Sequence, residues 1–176
     1  VLEELQVQVE ENQSLGFETE DIKVCLVQDY DPKLLDDLVN FGLDIFGDLG
    51  MDQWGLVPQI RHGNVYVLQD NEDIIGLAIL MRDWDDTDKC YLFDFAISPN
   101  LQGKGLGTYF LQAIISNMEE QGFSKMSLTV DTTNKPAIKL YKDKIGFDID
   151  HFSKDEYGKG HDRYIMEFDF NKEDVN

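Results

Sequence analysis

The run Cys90-Tyr91-Leu92-Phe93-Asp94-Phe95-Ala96-Ile97 is apolar and long enough for a central strand, and Pro99 stops it. Seven residues, Gln102-Gly103-Lys104-Gly105-Leu106-Gly107-Thr108, then lead into Phe110, Leu111, Ile114, Ile115 and Met118, which repeat at helical spacing as far as Gly122. A strand, a turn with glycine at alternate positions and an amphipathic helix cannot be accommodated in an all-β or all-α chain. They demand a mixed α/β fold. The glycines let the backbone approach a ligand closely, and the helix start offers unpaired N–H groups and the positive end of a dipole to an anion. A pyrophosphate suits such a turn, although three glycines can also serve a tight strand-to-helix connection and nothing more.

The flanking chain reads in the same way. Ile22–Val27 has strand character; Asp31-Pro32 has the form of an N-cap followed by proline at the first helical position. Leu34, Leu35, Leu38, Val39, Leu43 and Phe46 then mark an amphipathic helix to Gly47, and Gln53–Ile60 a second, shorter one. Val65–Leu68 and Ile74–Met81, split by Asp70-Asn71-Glu72-Asp73, form a hairpin pattern. Met126–Val130, Phe147–Phe152 and Tyr164–Phe170 read as strands and Pro136–Lys142 as a short helix. Residues 1–20 read as a tail or frayed helix, 21–171 as one domain and 172–176 as a short C-terminal tail.

Charge narrows the partners. The chain carries 35 acidic and 15 basic side chains among 176 residues, a formal net charge of −20. Nucleic acid and anionic membrane surfaces are disfavoured, because both need clustered Lys and Arg. Residues 101–147 depart from the rest, with 4 acids and 6 lysines. An anionic ligand at the glycine turn accounts for that local reversal; chance in a short window is the alternative. Cys25 and Cys90 are too few for a disulfide framework, no run of eighteen apolar residues occurs, and the first residues lack the basic-then-apolar order of a signal peptide. A cytoplasmic protein is expected. His62, His151 and His161 have no metal spacing with one another or with the cysteines, so no metal is expected.

Two familiar phosphate loops fail on spacing. GxxxxGK[ST] is not present, and GxGxxG does not fit glycines at 103, 105 and 107. The spacing Gln-x-x-Gly-x-Gly, as Gln102, Gly105 and Gly107, instead resembles the acyl-CoA signature of the GNAT N-acetyltransferase superfamily. Phe95-Ala96-Ile97-Ser98-Pro99 is similar to the strand before that loop. Leu128-Thr129-Val130, Asn134, Ala137, Leu140-Tyr141 and Gly146-Phe147 are similar to the family's second block. The family usually places three residues between the Tyr and the Gly-Phe; this chain has four, Lys142 to Ile145, so a local difference in that turn is expected.

The resemblance implies a central, mostly antiparallel twisted sheet, splayed at the cofactor site and flanked by about four helices. It implies acetyl-CoA as cosubstrate, with Phe95, Ala96 and Ile97 pairing with pantetheine and Gln102, Gly103, Lys104, Gly105, Leu106, Gly107 and Thr108 holding the pyrophosphate. Asn134 would contact the cofactor, and Tyr141 would contact it and protonate the leaving thiolate; a phenol ordinarily titrates near about 10 and is protonated at neutral pH. A backbone N–H near Ile97 would meet the oxyanion. Asp94, flanked by Phe93 and Phe95, is costly as an unpaired carboxylate. It is either ion-paired with a basic neighbour or placed to bind and deprotonate an amine.

In the regions that set acceptor choice in the family, Phe46, Asp83, Trp84, Asp85 and Tyr157 combine aromatic rings with acids. That combination suits a cationic amine, and it is equally the composition of an acidic solvated surface. The function expected from the resemblance is acetyl transfer from acetyl-CoA to a primary amine of a small cationic metabolite, a polyamine or lysine-like compound. The alternatives are a non-catalytic acyl-CoA sensor and an acetyltransferase of protein amines. The expected partner is a small-molecule amine, with no nucleic acid or membrane, and a homodimer is left open.

Overall fold

The computed structural model describes residues 1–7 and 16–172. Among those residues eight strands are ordered β1-β2-β3-β4-β5-β6-β8-β7 in a mostly antiparallel sheet: β1 (Leu2–Glu4), β2 (Ile22–Val27), β3 (Asn64–Asp70), β4 (Asp73–Arg82), β5 (Lys89–Ile97), β6 (Lys125–Asp131), β7 (Asp148–Ser153) and β8 (Arg163–Asp169). Four α-helices accompany them: α1 (Pro32–Phe46), α2 (Gln53–His62), α3 (Leu106–Glu120) and α4 (Lys135–Lys139). The chain packs as two compact units, one from residues 1–81 and 94–114 and the other from 82–93 and 115–176. Strand β5 and helix α3 each contribute to both.

In the first unit, α1 begins where the sequence places it. The Asp31 side chain accepts a hydrogen bond from the Leu34 amide at 2.8 Å and Pro32 occupies the first turn. Gly47, at φ +58°, ends the helix, its amide bonded to the Leu43 carbonyl. Asp52 caps α2 in the same manner through the Gly55 amide at 3.1 Å. Leu38 and Val39 of α1 and Leu56 and Ile60 of α2 pack with Val65 and Val67 of β3 and Leu77 and Ile79 of β4. Alternation along β3 and β4 sends Tyr66, Leu68, Ala78 and Leu80 to the opposite face, and all four are buried. The β3–β4 ladder runs from Asn64↔Leu80 to Asp70↔Asp73 with a bulge at Leu68/Gln69. At its tip Asn71 takes φ +54°, which asparagine tolerates.

One sequence expectation changes here. Leu2–Glu4 pair with Cys25–Val27 as an edge strand, not as a helix or free tail. Three residues carry too little periodicity to signal a strand; the open edge of β2 decides the conformation. The rest of that expectation, residues 8–15, lies outside the described residues, as do 173–176 of the C-terminal tail.

In the second unit, β5 pairs in parallel with β6 from Lys89↔Lys125 to Leu92↔Leu128, and the ladder ends there. Beyond that point Thr129–Asp131 of β6 continue on β8. Glu167 of β8 lies 2.9 Å from Lys89 and 3.4 Å from Lys125, joining three strands through one carboxylate. Those lysines hold its pKa below the usual glutamate value. Met126, Leu128, Phe147 and Met166 are buried, and rings continue in sequence from Tyr141 to Phe147, Phe168 and Phe170.

The extra residue between Tyr141 and Gly146 is absorbed by a π-helical turn, Leu140–Ile145. The Gly146 amide, donating to the Tyr141 carbonyl at 3.0 Å, closes an i→i+5 bond. A single insertion is what widens an α turn into a π turn, and Gly146 at φ +104° lets the chain leave it.

Candidate active site

The first unit contains a small pocket with one carboxylate. Leu38, Gly42 and Phe46 reach it from α1 at i, i+4 and i+8, on one helix face. Met51, ahead of α2, and Leu56 within it close the pocket, and Leu77 and Ile79 line it from alternate positions of β4. Asp94 on β5 is its polar member. Burial raises the Asp94 carboxyl to about 6. Among the described residues no cation pairs with it, so the ion-pair alternative finds no support, and apart from Asp94 the lining is apolar. Phe46, expected from the sequence, belongs to this pocket. Gly42, Met51, Leu56, Leu77 and Ile79 were not singled out; only Gly42, a glycine inside a helical pattern, stands out in the sequence itself.

The glycine turn lies in the same unit. Phe95 turns to the other face of β5, its ring 5.4 Å from that of Phe110, and Ala96 and Ile97 are buried. The Ser98 amide donates to the Ile75 carbonyl at 2.8 Å. Gln102 donates from its side chain to the Ile97 carbonyl at 3.4 Å, tying the turn to the strand end. Gly103 and Gly105 take φ +81° and +89°, and a Cβ at either would meet nothing within 4 Å. Their requirement is therefore conformational, not one of space. Leu106 is buried and starts α3; the Tyr109 amide donates to the Gly105 carbonyl at 3.0 Å. The amides of Leu106, Gly107 and Thr108 thus form the first turn of a 15-residue helix, the position where an anion finds unpaired donors. From the chain that precedes β2, the Gly16 amide donates to the Lys104 carbonyl at 3.2 Å and the Phe17 ring stands edge-on to Tyr109 at 5.5 Å. Nothing in the composition of residues 16 and 17 foretold this support.

The remaining expected residues lie in the second unit. Asn134 caps α4, accepting from the Ala137 amide at 3.2 Å. Tyr141 is buried with its ring against Phe147. Asp83 accepts from the Asp85 and Asp86 amides at 2.9 and 3.0 Å, and those bonds lower its pKa. Its carboxylate closes the β4–β5 turn, and Trp84 and Asp85 are exposed beside it. The Tyr157 hydroxyl is 3.2 Å from that of Tyr91, and the Arg163 guanidinium stands 4.9 Å over its ring. Burial, with the neighbouring Tyr157 phenol, pushes Tyr91 up to about 12. Among the described residues no cluster of His, Cys, Asp and Glu could hold a metal ion, and no helix is long and apolar enough to cross a membrane.

Residues 33–147 match the family model described as the Acetyltransferase (GNAT) family. Over 99 residues, 56% of this chain and 64% of the relative, the sequence is 34% identical to the [ribosomal protein bS18]-alanine N-acetyltransferase of Haemophilus influenzae. The Salmonella typhimurium protein of that name is 32% identical over 81 residues, 45% of this chain and 54% of the relative. These matches thus cover between half and two thirds of each curated relative. In three dimensions the ribosomal-protein-S18-alanine N-acetyltransferase of Escherichia coli has a TM-score of 0.69 at 21% identity, covering 87% of this chain and 97% of that one. Arabidopsis thaliana Naa50, solved with the bisubstrate analogue CoA-Ac-MVNAL, has a TM-score of 0.68 at 20% identity, covering 84% and 99%.

Proposed function

This chain belongs to the GNAT acetyltransferase family, and from that premise we propose that it transfers the acetyl group of acetyl-CoA to the α-amine of a protein or peptide N-terminus. The observation that carries the reading is Asp94: a carboxylate raised to about 6, set in an otherwise apolar pocket. An α-amine titrates near about 8, so passing its proton to Asp94 is uphill by about two pKa units, or about 3 kcal/mol. A polyamine or lysine amine near about 10.4 doubles that cost to about 6 kcal/mol. The apolar lining also suits a residue side chain better than a chain of ammonium groups. The names of the bS18-alanine relatives point the same way. The α-amine therefore replaces the cationic metabolite as the favoured acceptor.

The chemistry follows in order. Asp94 holds the incoming ammonium and takes its proton, directly or through water. The neutral nitrogen attacks the thioester carbonyl, its new C–N bond forming as the C=O pair moves onto oxygen. A strand N–H near Ile97 receives that charge. Collapse breaks the C–S bond as Tyr141 gives its phenolic proton to the departing CoA thiolate, and the second proton of the attacking nitrogen passes through water to the Tyr141 phenolate, leaving a neutral amide. Gln102–Thr108 hold the pyrophosphate, Phe95–Ile97 the pantetheine, and Asn134 a further part of the cofactor. The +2 balance of residues 101–147 in a chain of −20 supports an anion there.

Thiol release from acetyl-CoA tests the acceptor, using a peptide with a free α-amine, the same peptide N-blocked but carrying lysine, and spermidine. The first should be turned over at least tenfold faster than the others. Turnover of spermidine or of the blocked peptide at the higher rate would reject the α-amine reading.

A further inference from the structure

We propose that Gly16 is a positioning residue of the cofactor site: its backbone N–H fixes the Lys104–Gly105 peptide so that the Gly105 N–H is held toward the CoA pyrophosphate. The inference rests on the placement of the pyrophosphate at Gln102–Thr108 and is independent of which amine accepts the acetyl group. The Gly16 amide donates to the Lys104 carbonyl at 3.2 Å. No peptide bond among the described residues is cis, and in a planar trans peptide the C=O and the following N–H point in opposite directions. Holding the Lys104 carbonyl toward Gly16 therefore turns the Gly105 N–H away from it. Among the described residues the Gly105 N–H donates to no backbone carbonyl, which leaves it open to an anion.

The turn would not fix that orientation unaided. Gly103 and Gly105, at φ +81° and +89°, flank Lys104 with backbone that rotates freely. A reversed Lys104–Gly105 peptide would present a carbonyl oxygen to the phosphates and repel them. Contacts on both sides of Gly105 select against the reversal. Its own carbonyl accepts from the Tyr109 amide at 3.0 Å, and the Phe17 ring, next to Gly16, stands edge-on to the Tyr109 ring at 5.5 Å. Residue 16 must also be small: a Cβ there would lie 3.0 Å from the Lys104 carbonyl oxygen and 3.4 Å from its Cα. The residues that follow include Glu18, Glu20 and Asp21. Acids do not draw a segment toward an anion, so what this one supplies is a backbone donor and a ring.

Calorimetric titration of the full chain with CoA, and with pantetheine, which lacks the pyrophosphate and the nucleotide, tests the assignment. Gly16→Pro removes the N–H and should raise the Kd for CoA about tenfold, in the range of one hydrogen bond to a charged group, with the Kd for pantetheine changed less than twofold. Retained pantetheine binding shows at the same time that the variant is folded. Gly16→Ala keeps the N–H but crowds the carbonyl, and its Kd for CoA should fall between those of the wild type and Gly16→Pro. Unchanged CoA affinity in Gly16→Pro would overturn the assignment. So would CoA and pantetheine weakened by the same factor, the mark of a general loosening. If the wild type binds CoA no more tightly than pantetheine, the pyrophosphate placement itself falls, and this inference with it.

Discussion

Asp94 carries opposite obligations in stability and activity. Its folded pKa of about 6 exceeds the unfolded value near about 3.9. The fold therefore prefers the protonated form: Asp94 costs nothing below pH 4, and its penalty grows as pH rises to about 6 and stays constant above. Asp94→Asn should stabilise the chain by about 1–2 kcal/mol at pH 7.5, after allowance for partial solvent contact, and by nothing at pH 4. Thermal midpoints at the two pH values check this. The same variant should lose about 100-fold in kcat/KM for a peptide acceptor, and the acidic limb near pH 6 expected of the wild type should vanish in it. Asp94 was legible as an anomaly, an acid between two phenylalanines. Its surroundings were not, because Leu38, Gly42, Phe46, Met51, Leu56, Leu77 and Ile79 come from three separate stretches that only tertiary packing brings around it.

At the scale of elements, legibility followed local chemistry. Asp31-Pro32 announced α1 because capping is a three-residue event, and the Asp70–Asp73 turn announced the β3–β4 hairpin. The spacing after Tyr141 announced an irregularity without its form; whether one extra residue makes a bulge, a loop or a π turn depends on what Phe147 must reach, and here it reaches the rings of Tyr141 and Phe168. The support of the glycine turn by Gly16 and Phe17 was illegible, since it rests on one long-range amide bond and one ring contact. That support has a consequence. Phe17→Ala should raise the KM for acetyl-CoA three- to tenfold with little change in kcat at saturating cofactor, because it loosens the turn without touching the Asp94 pocket. An equal fall in kcat at saturation would show that the contact serves something other than cofactor binding.

For the molecule as a whole, a net charge of −20 makes encounter with a cationic acceptor dependent on ionic strength. A peptide with lysines at its third to fifth positions should show a KM rising several-fold between about 0.02 and 0.5 M salt, two concentrations at which the Debye length falls from about 20 to about 4 Å. A neutral peptide of the same first residue should change less than twofold. If both respond alike, the acidity is a property of the solvated surface and has no part in acceptor capture. The acids at Asp83 and Asp85 illustrate why composition alone misleads: one closes a turn and the other is exposed beside it, and neither fact is visible in a charge count.

The most direct measurement is the position of the acetyl group on a peptide that offers both a free α-amine and a lysine. After incubation with acetyl-CoA, tandem mass spectrometry of a Met-initiated peptide with an internal lysine should place a single acetyl group on the first residue, dependent on Asp94. An acetyl group on the lysine side chain, or one placed on the first residue equally well by Asp94→Asn, would contradict the account.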